Sequence, residues 1–569
     1  MPDIYEDSLN KINTWLETQK ISHEKLFADN NIQEGWSFLQ TWKGKTISLI
    51  FKIDTGFPFS KIRVSIAPPL LFLSFPHVEI DGAICLFHSE EYHNHHDALE
   101  FFLETGRRAT ELLKRYEQDP NIFKEFQDEY KTYWDFFLGG KKPENWFVIE
   151  DLKKLRNPLY SISTDRGIYL SSDVEALDKW TKNINTPISA IRNNAILIQL
   201  SEIISPPYPR TVKDLINILS REQNCLALTR ALKYALFKDE SLIVLLCNNS
   251  ALFALKFKHP NPGSINKKKF KKPIRKLIDA PLSPHSINRA DKAWVFGRDK
   301  NKDLDTLGTK TAVIIGCGSV GSLIAKDLVQ SGIGKLILVD YGTLEWSNIS
   351  RHELGSFYVG KPKALALKFD LDTRFPHISI EAIWGTWEKA INQTPDIFKN
   401  VDIIISATAN FNSEAKLNLL KRQGNFSAPI LYAWTTPHSI SGHIISIVND
   451  KSCFECWVSA ENKLNIEPVI PPLEGFQHRE PSCGGLFSPY GIVELSYITS
   501  LAAQTAIDIL LGRVKENTHS IWIASKKFID SLGLQISPEW EEKYGKVDSG
   551  KIIEVPWAKN SECKSCQNQ

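Results

Sequence analysis

The chain has 569 residues, too many for one hydrophobic core, so several domains are expected. A formal net charge of +2 at pH 7 gives no case for bulk nucleic-acid binding, and a 42% hydrophobic share is that of an ordinary soluble protein. There is no run of about eighteen apolar residues and no basic, apolar leader-like start, so a cytoplasmic protein without a membrane span is expected, whose nine cysteines serve as thiols or metal ligands rather than as a disulfide framework.

Residues 46–53 and 61–66 alternate apolar and polar positions as antiparallel strands do, on either side of the turn cluster Thr55-Gly-Phe-Pro58-Phe. After Ala67-Pro-Pro, residues 70–75 lead into Pro76-His77-Val-Glu-Ile-Asp-Gly82-Ala-Ile-Cys85-Leu86. Helical periodicity covers 97–116 and 121–137. By residue type alone Cys85, between Ile84 and Leu86, suits a buried strand. The order of elements resembles the ubiquitin-conjugating fold, in which a proline-containing meander leads to a His-Pro-Asn element, a glycine and a catalytic Ile-Cys-Leu. The resemblance implies that Cys85 is a catalytic nucleophile. It puts His77 where that family has Asn, there to orient a thioester or stabilise its oxyanion. Residues 129–134 resemble the closing helix of bacterial conjugating-type domains. His88, His93, His95 and His96 follow Cys85 without a fixed spacing, so a solvated loop is expected there rather than a metal site.

From about 160 to 281 the pattern predicts helices over 212–219 and 225–236 and strands over 242–246 and 252–257, with no catalytic constellation and no internal repeat. A spacing, docking or dimer-supporting role is expected. The basic run Lys267-Lys-Lys-Phe-Lys-Lys272 reads as a solvated linker, with docking to an acidic partner face as the alternative.

Next, an apolar strand over 311–315 runs into Gly316-Cys-Gly318-Ser-Val-Gly321, and a helix is expected to start near Ser319. Those glycines allow a tight turn and close backbone approach to phosphate, which the helix N-terminus attracts. A second strand over 335–339 ends on Asp340, placed to hold a ribose hydroxyl. Alone these features fit a dinucleotide-binding dehydrogenase. Asn348 and Arg351 in Ser347-Asn-Ile-Ser-Arg351-His352, and Lys363 in Gly360-Lys-Pro-Lys363, add the donors and cations that a triphosphate needs. Strands over 401–407 and 430–435 with a helix over 413–422 between them continue an α/β sheet. Cys453, Cys456, Cys563 and Cys566 form two C-x-x-C turns that suit one closed, structural zinc site, two unrelated reduced turns being the alternative. Between them Pro481-Ser-Cys483-Gly-Gly precedes a helical pattern over 493–511. Cys483 is therefore a candidate nucleophile, with a small buried cysteine as the alternative.

This order of motifs resembles the ThiF-type adenylating superfamily, which includes the ubiquitin-activating enzymes and activates the C-terminal carboxylate of a small protein with ATP. The resemblance implies that Gly316, Gly318, Gly321, Asp340, Asn348, Arg351 and Lys363 bind ATP. The spacing of Cys483 resembles that of the catalytic cysteine of the autophagy-type activating enzymes, which lies on a crossover loop just ahead of the same helix. The resemblance also implies a homodimer in which an upstream arginine, here Arg289, reaches the partner's ATP. One departure is plain: the magnesium-binding Asp of the family is Ala409 here, in Ser406-Ala-Thr-Ala409-Asn410.

The expected fold class is multidomain α+β and α/β. It comprises a ubiquitin-conjugating-like domain over 1–158, a middle or linker domain over 159–281, and a ThiF-type Rossmann-like adenylating domain with a four-cysteine zinc site over 282–569. The fused order resembles the conjugating and activating proteins of bacterial CBASS anti-phage operons. That implies ATP and magnesium as cofactors, an acyl-adenylate, a thioester on Cys483, transfer to Cys85 and conjugation to a target amine, with Arg351 and His77 assisting. The carrier would be a cGAS-like nucleotidyltransferase or a ubiquitin-like protein. Two alternatives stay open: an adenylating enzyme for a sulfur carrier or peptide with the N-terminal domain as a docking module, and a non-enzymatic scaffold.

Overall fold

A computed structural model describes residues 4–29, 32–87, 91, 95–139, 145–187, 189–219, 225–238, 240–258, 278–459, 463–464, 467–470, 478–479, 486–487, 490–546 and 550–567. Cys483, His88, His93 and the 267–272 basic run lie outside them. The chain forms two compact units, one of residues 1–148, 152–172 and 190–288, the other of 149–151, 173–189 and 289–569.

The first unit opens with the helix Ile4–Thr18 and an antiparallel meander of the strands Glu24–Asp29, Ile32–Trp42, Lys45–Ile53, Arg63–Ala67 and Ala83–Ile84. The expected alternation is realised: Ile47, Leu49, Phe51 and Ile53 point inward, while Lys45, Thr46, Ser48, Ile50 and Lys52 stay partly or fully exposed. The inward row meets Leu9, Ile12 and Leu16 of the first helix and Phe101, Phe102, Ala109 and Leu113 of the helix Ala98–Gln118. Each such side chain removed from water stabilises the fold by about 1.5–3 kcal/mol. Asp97 caps the second helix by accepting the Glu100 N–H at 2.9 Å.

The continuous helix expected over 121–137 is broken into a 3-10 turn at Ile122–Lys124 and the helices Glu125–Asp128 and Tyr130–Phe137, with Glu129 outside helical geometry at φ −107°. The last of these helices also builds the core of a second sheet, whose strands Leu282–His285, Leu252–Phe257, Leu242–Cys247, Arg192–Gln199, Leu159–Thr164 and Gly167–Ser171 neighbour one another in that order. Tyr133 and Trp134 pack with Phe253 and with residues of the helices Val212–Ile218 and Cys225–Lys238, and the Trp134 indole N–H donates to the His285 carbonyl at 3.0 Å.

In the second unit the strands Ser379–Trp384, Lys335–Asp340, Thr311–Ile315, Ile403–Ser406 and Ile430–Thr435 lie parallel in that order. The antiparallel strands Ser441–Ile447, Thr518–Ile523 and Lys551–Pro556 extend the sheet. Ala312, Val313 and Ile314 are completely buried, as expected of a central strand covered on both faces. Strand order reverses beside Thr311–Ile315, so a crevice opens at the carboxyl ends of that strand and of Ile403–Ser406, where doubly wound folds bind ligands. The helices Ser319–Gln330 and Ile492–Leu510 pack on the same core.

Candidate active sites and metal centre

At the crevice the glycine loop is explained residue by residue. Gly316 has φ +89°, and a Cβ there would lie 2.9 Å from the Ala407 carbonyl oxygen. A Cβ on Gly321 would sit 1.8 Å from the Gly316 carbonyl oxygen. Gly318 differs: a Cβ there meets nothing within 4 Å. It is the N-cap of Ser319–Gln330 and offers no side chain to the first-turn N–H groups, which leaves them to an incoming anion. The Asp340 carboxylate accepts the N–H groups of Cys317 and Gly342, both at 2.6 Å, so it clamps the loop to the neighbouring strand. A carboxylate has about four lone-pair positions, so these two bonds leave room for a ribose hydroxyl.

Lys363 begins the helix Lys363–Arg374, and its backbone N–H donates to the Gly342 carbonyl at 2.9 Å. Asn348 shapes the preceding turn: its side-chain oxygen accepts the Glu345 N–H at 3.1 Å and its carbonyl accepts the Arg351 N–H at 3.1 Å. The Arg351 guanidinium lies 4.7 Å from the centre of the Tyr490 ring. Buried His352 accepts the Leu354 N–H on Nδ1 at 3.0 Å and therefore donates from Nε2 to the Cys317 carbonyl at 2.7 Å. Burial lowers its pKa to about 4, so this imidazole is a neutral brace behind the loop.

The Arg289 guanidinium is buried and forked between Asp291, at 2.8 Å, and Asp299 of the same chain. Both carboxylates engage the guanidinium through charge-assisted hydrogen bonds. At the end of the Ile403–Ser406 strand, Ala409 adopts the left-handed φ of +49° and brings no carboxylate. The carboxylate that does reach this loop is that of Glu414, fully buried, which accepts the hydroxyls of Ser406 and Thr408, each at 3.2 Å.

The four cysteines of the two C-x-x-C turns come together as expected. Their Sγ atoms lie within 4.8 Å of one another, and all four residues are buried. Contacts of 3.4, 3.6, 3.7 and 4.0 Å join them. A tetrahedron of thiolates around zinc has edges of about 3.8 Å, so the cage has the right size. Trp557 and Asn560 donate to the carbonyls of Cys453 and Cys456 at 2.9 and 2.8 Å and fix the first turn from the segment that carries the second.

In the first unit a tight hairpin brings His77 and Cys85 together. Gly82 takes the left-handed φ of +83°, the Glu79 N–H donates to the Ala83 carbonyl at 2.7 Å, and the Cys85 N–H donates to the His77 carbonyl at 2.8 Å. Cys85 is exposed and shares a cavity of about 230 Å³ with His77, Phe87, Arg108, Arg115 and Glu129. Desolvation by the cavity walls, with the carboxylates of Glu79 and Glu129, pushes its thiol above the ordinary range.

His77 Nε2 lies 2.6 Å from Glu125, which also pairs with Arg115, and Nδ1 lies 3.7 Å from Glu129. Burial raises the Glu125 pKa, but hydrogen bonds from His77 and Arg115 outweigh it and hold the carboxyl below its usual range. The His77 backbone N–H donates to the Tyr133 hydroxyl at 2.6 Å, and that hydroxyl donates to Glu129 at 3.1 Å. Sequence reasoning missed Glu125 as a site residue. The i, i+4 spacing of 125, 129 and 133 was the available signal, although the chain breaks its helix at Glu129.

Comparison with known proteins follows this division. Residues 293–539 match the ThiF family, and residues 13–137 match the prokaryotic E2 family B. An ATP-dependent ubiquitin transferase-like protein Cap2 of Vibrio cholerae serotype O1 is 24% identical over 41% of this chain and 40% of its own length. A Cap2 protein of Pseudomonas aeruginosa is 21% identical over 80% of this chain and 84% of its own. A crystal structure of E. coli MccB with succinimide aligns over 46% of this chain and 69% of that one at 19% identity, with a TM-score of 0.32. The match to the Vibrio relative thus spans less than half of that protein. Residues 13–137 are thus a prokaryotic E2 family B domain and residues 293–539 a ThiF domain, fused in one E2-like and E1-like chain.

Proposed function

We propose that this protein is an ATP-using enzyme of ubiquitin-like activation and conjugation that carries a protein C-terminus from ATP to an amine. One observation supports the reading above the others: a single chain holds both the glycine loop clamped by Asp340 and an exposed Cys85 in a cavity with His77. The carrier's carboxylate oxygen attacks the α-phosphorus of ATP, and pyrophosphate leaves. First-turn N–H groups of the helix from Ser319, with Arg351 and Lys363, meet the phosphates, and Asp340 meets the ribose. The Cys483 thiolate then attacks the acyl carbon, and AMP leaves.

Transfer from Cys483 to Cys85 exchanges one thioester for another and needs proximity more than acid–base power. Last, a target amine attacks the Cys85 thioester, the Cys85 thiolate leaves, and the His77 imidazole stands beside the developing oxyanion.

ATP with magnesium is the co-substrate. The loop at Ala409 offers the metal no carboxylate, so no step is assigned to a protein-held magnesium ion. Zinc fits the four-cysteine cage by size and ligand chemistry, and its contribution would be structural. The carrier in this reading is a cGAS-like nucleotidyltransferase or a ubiquitin-like protein in a bacterial anti-phage setting; the relatives described as ATP-dependent ubiquitin transferase-like support ATP-dependent transfer of a ubiquitin-like kind. The working unit is a homodimer in the cytoplasm. No helix among the described residues is long and apolar enough to cross a membrane.

The test is exchange of labelled pyrophosphate into ATP with candidate carriers present. Exchange that requires the carrier's free C-terminal carboxylate is expected. No exchange with any neighbouring gene product overturns the reading, and a monomeric mass by light scattering overturns the homodimer.

A further inference from the structure

Tyr490 lies far from the glycine loop in sequence and yet touches two of its parts. Its hydroxyl is 2.7 Å from the Ser319 hydroxyl, on the first residue of the helix that follows the loop. Its ring lies 4.7 Å from the Arg351 guanidinium carbon. All three residues are half-buried. The tyrosine is also rigidly based, because two residues on begins Ile492–Leu510, whose Leu495, Ile498 and Ala502 are completely buried in the sheet core.

We infer that Tyr490 is a positioning residue for the phosphate-binding donors of the adenylating domain, holding Arg351 by its ring and Ser319 by its hydroxyl. An arginine on a long side chain loses rotamer freedom when it grips an anion, and a preset guanidinium loses less. A contact through the aromatic face uses the cation's charge and none of its N–H donors, so the fork that would grip a phosphate is not consumed by the residue that orients it. The hydroxyl contact does the same for the helix end. Gly318 supplies no capping side chain, and the Ser319 hydroxyl held by Tyr490 extends the row of first-turn donors. This inference rests on the proposal that the loop binds ATP.

The experiment is equilibrium dialysis of the full-length protein with magnesium-ATP and, separately, with adenosine, which has no phosphate for Arg351 to meet. Tyr490→Leu is expected to weaken ATP about three- to fivefold and to leave adenosine unchanged, and Tyr490→Phe, which keeps the ring, to cost ATP less than about twofold. In an Arg351→Ala background the Tyr490→Leu effect on ATP should shrink to the hydroxyl's share, less than about twofold. Equal losses for ATP and adenosine would reduce Tyr490 to a structural role and overturn the inference, as would unchanged ATP binding. If Tyr490→Leu fails to fold, Tyr490→Met fills similar volume without an aromatic face and takes its place. Wild-type protein that binds no ATP would remove the adenylation reading itself, a failure distinct from wild type binding ATP and the variants binding it equally well.

Discussion

Alanine at Gly318 and at Gly321 should separate binding from folding. On Gly321 the new methyl would stand 1.8 Å from the Gly316 carbonyl oxygen and 3.3 Å from the Ala407 side chain, so backbone must move by more than an ångström. Overpacking of this kind costs about 1–3 kcal/mol or more, and the helix-propensity gain of roughly 1 kcal/mol does not offset the upper part of that range. On Gly318 the methyl meets nothing within 4 Å and φ is −78°, a conformation open to alanine. Loss of a glycine N-cap costs about 0.5–1 kcal/mol, and the stiffer unfolded chain returns about 0.4–1 kcal/mol, so stability should stay within about 1 kcal/mol of wild type. The open space over Gly318 is where phosphate would approach the backbone. A methyl there should cost about 1–3 kcal/mol of binding, an ATP affinity roughly 5- to 150-fold weaker. Thermal melting and equilibrium dialysis with ATP measure the two effects. Gly318→Ala that binds ATP like wild type would refute the assignment of this loop to phosphate, and Gly321→Ala that melts like wild type would refute the packing argument.

Three further outcomes follow from the sites. Cys563→Ser should lower bound zinc by elemental analysis and reduce the melting temperature, since one ligand of a closed four-thiolate cage is lost; full zinc occupancy in the variant would exclude the cage. In a Cys483→Ser background, iodoacetamide should label Cys85, and the labelling rate should rise with a midpoint above the ordinary thiol range, because desolvation, Glu79 and Glu129 all disfavour the thiolate; a midpoint below about 8 would contradict this. His352 titrates near 4 in the folded protein and near 6.5 unfolded, so the unfolded chain binds more protons between those values and stability falls as pH drops through that window, by about 1.4 kcal/mol per pH unit. Denaturation of wild type and His352→Gln at pH 7 and 5 checks it, and an equal pH slope in the two proteins would rule out His352 as the cause.

Local patterns carried the parts of this fold that local chemistry decides. The strand Thr311–Ile315 and its glycine turn were legible because a buried parallel strand is an unbroken apolar run and the turn admits no side chain at Gly316 or Gly321. The cysteine pairs were legible because two C-x-x-C turns match the ligand spacing of one tetrahedral thiolate site whatever fold surrounds them. What escaped depends on distant partners. The break at Glu129 is invisible in a helical pattern of 121–137, yet it goes with two glutamates reaching the same imidazole. The pairing of Arg289 with Asp299 was not legible, because the two stand ten residues apart and only the fold turns that aspartate back onto it. Tyr490 sits in a loop pattern with nothing local to link it to Ser319, 171 residues earlier.

The central claim, a two-cysteine relay driven by ATP, is tested most directly by intact mass of wild-type, Cys85→Ala and Cys483→Ala proteins after incubation with magnesium-ATP and each candidate carrier, with and without reductant. The relay predicts a reductant-labile carrier adduct on wild type, the same adduct retained on Cys483 in Cys85→Ala, and none on Cys483→Ala. An adduct on Cys85 in the Cys483→Ala protein, or ATP turnover with no thioester on either cysteine, would contradict it.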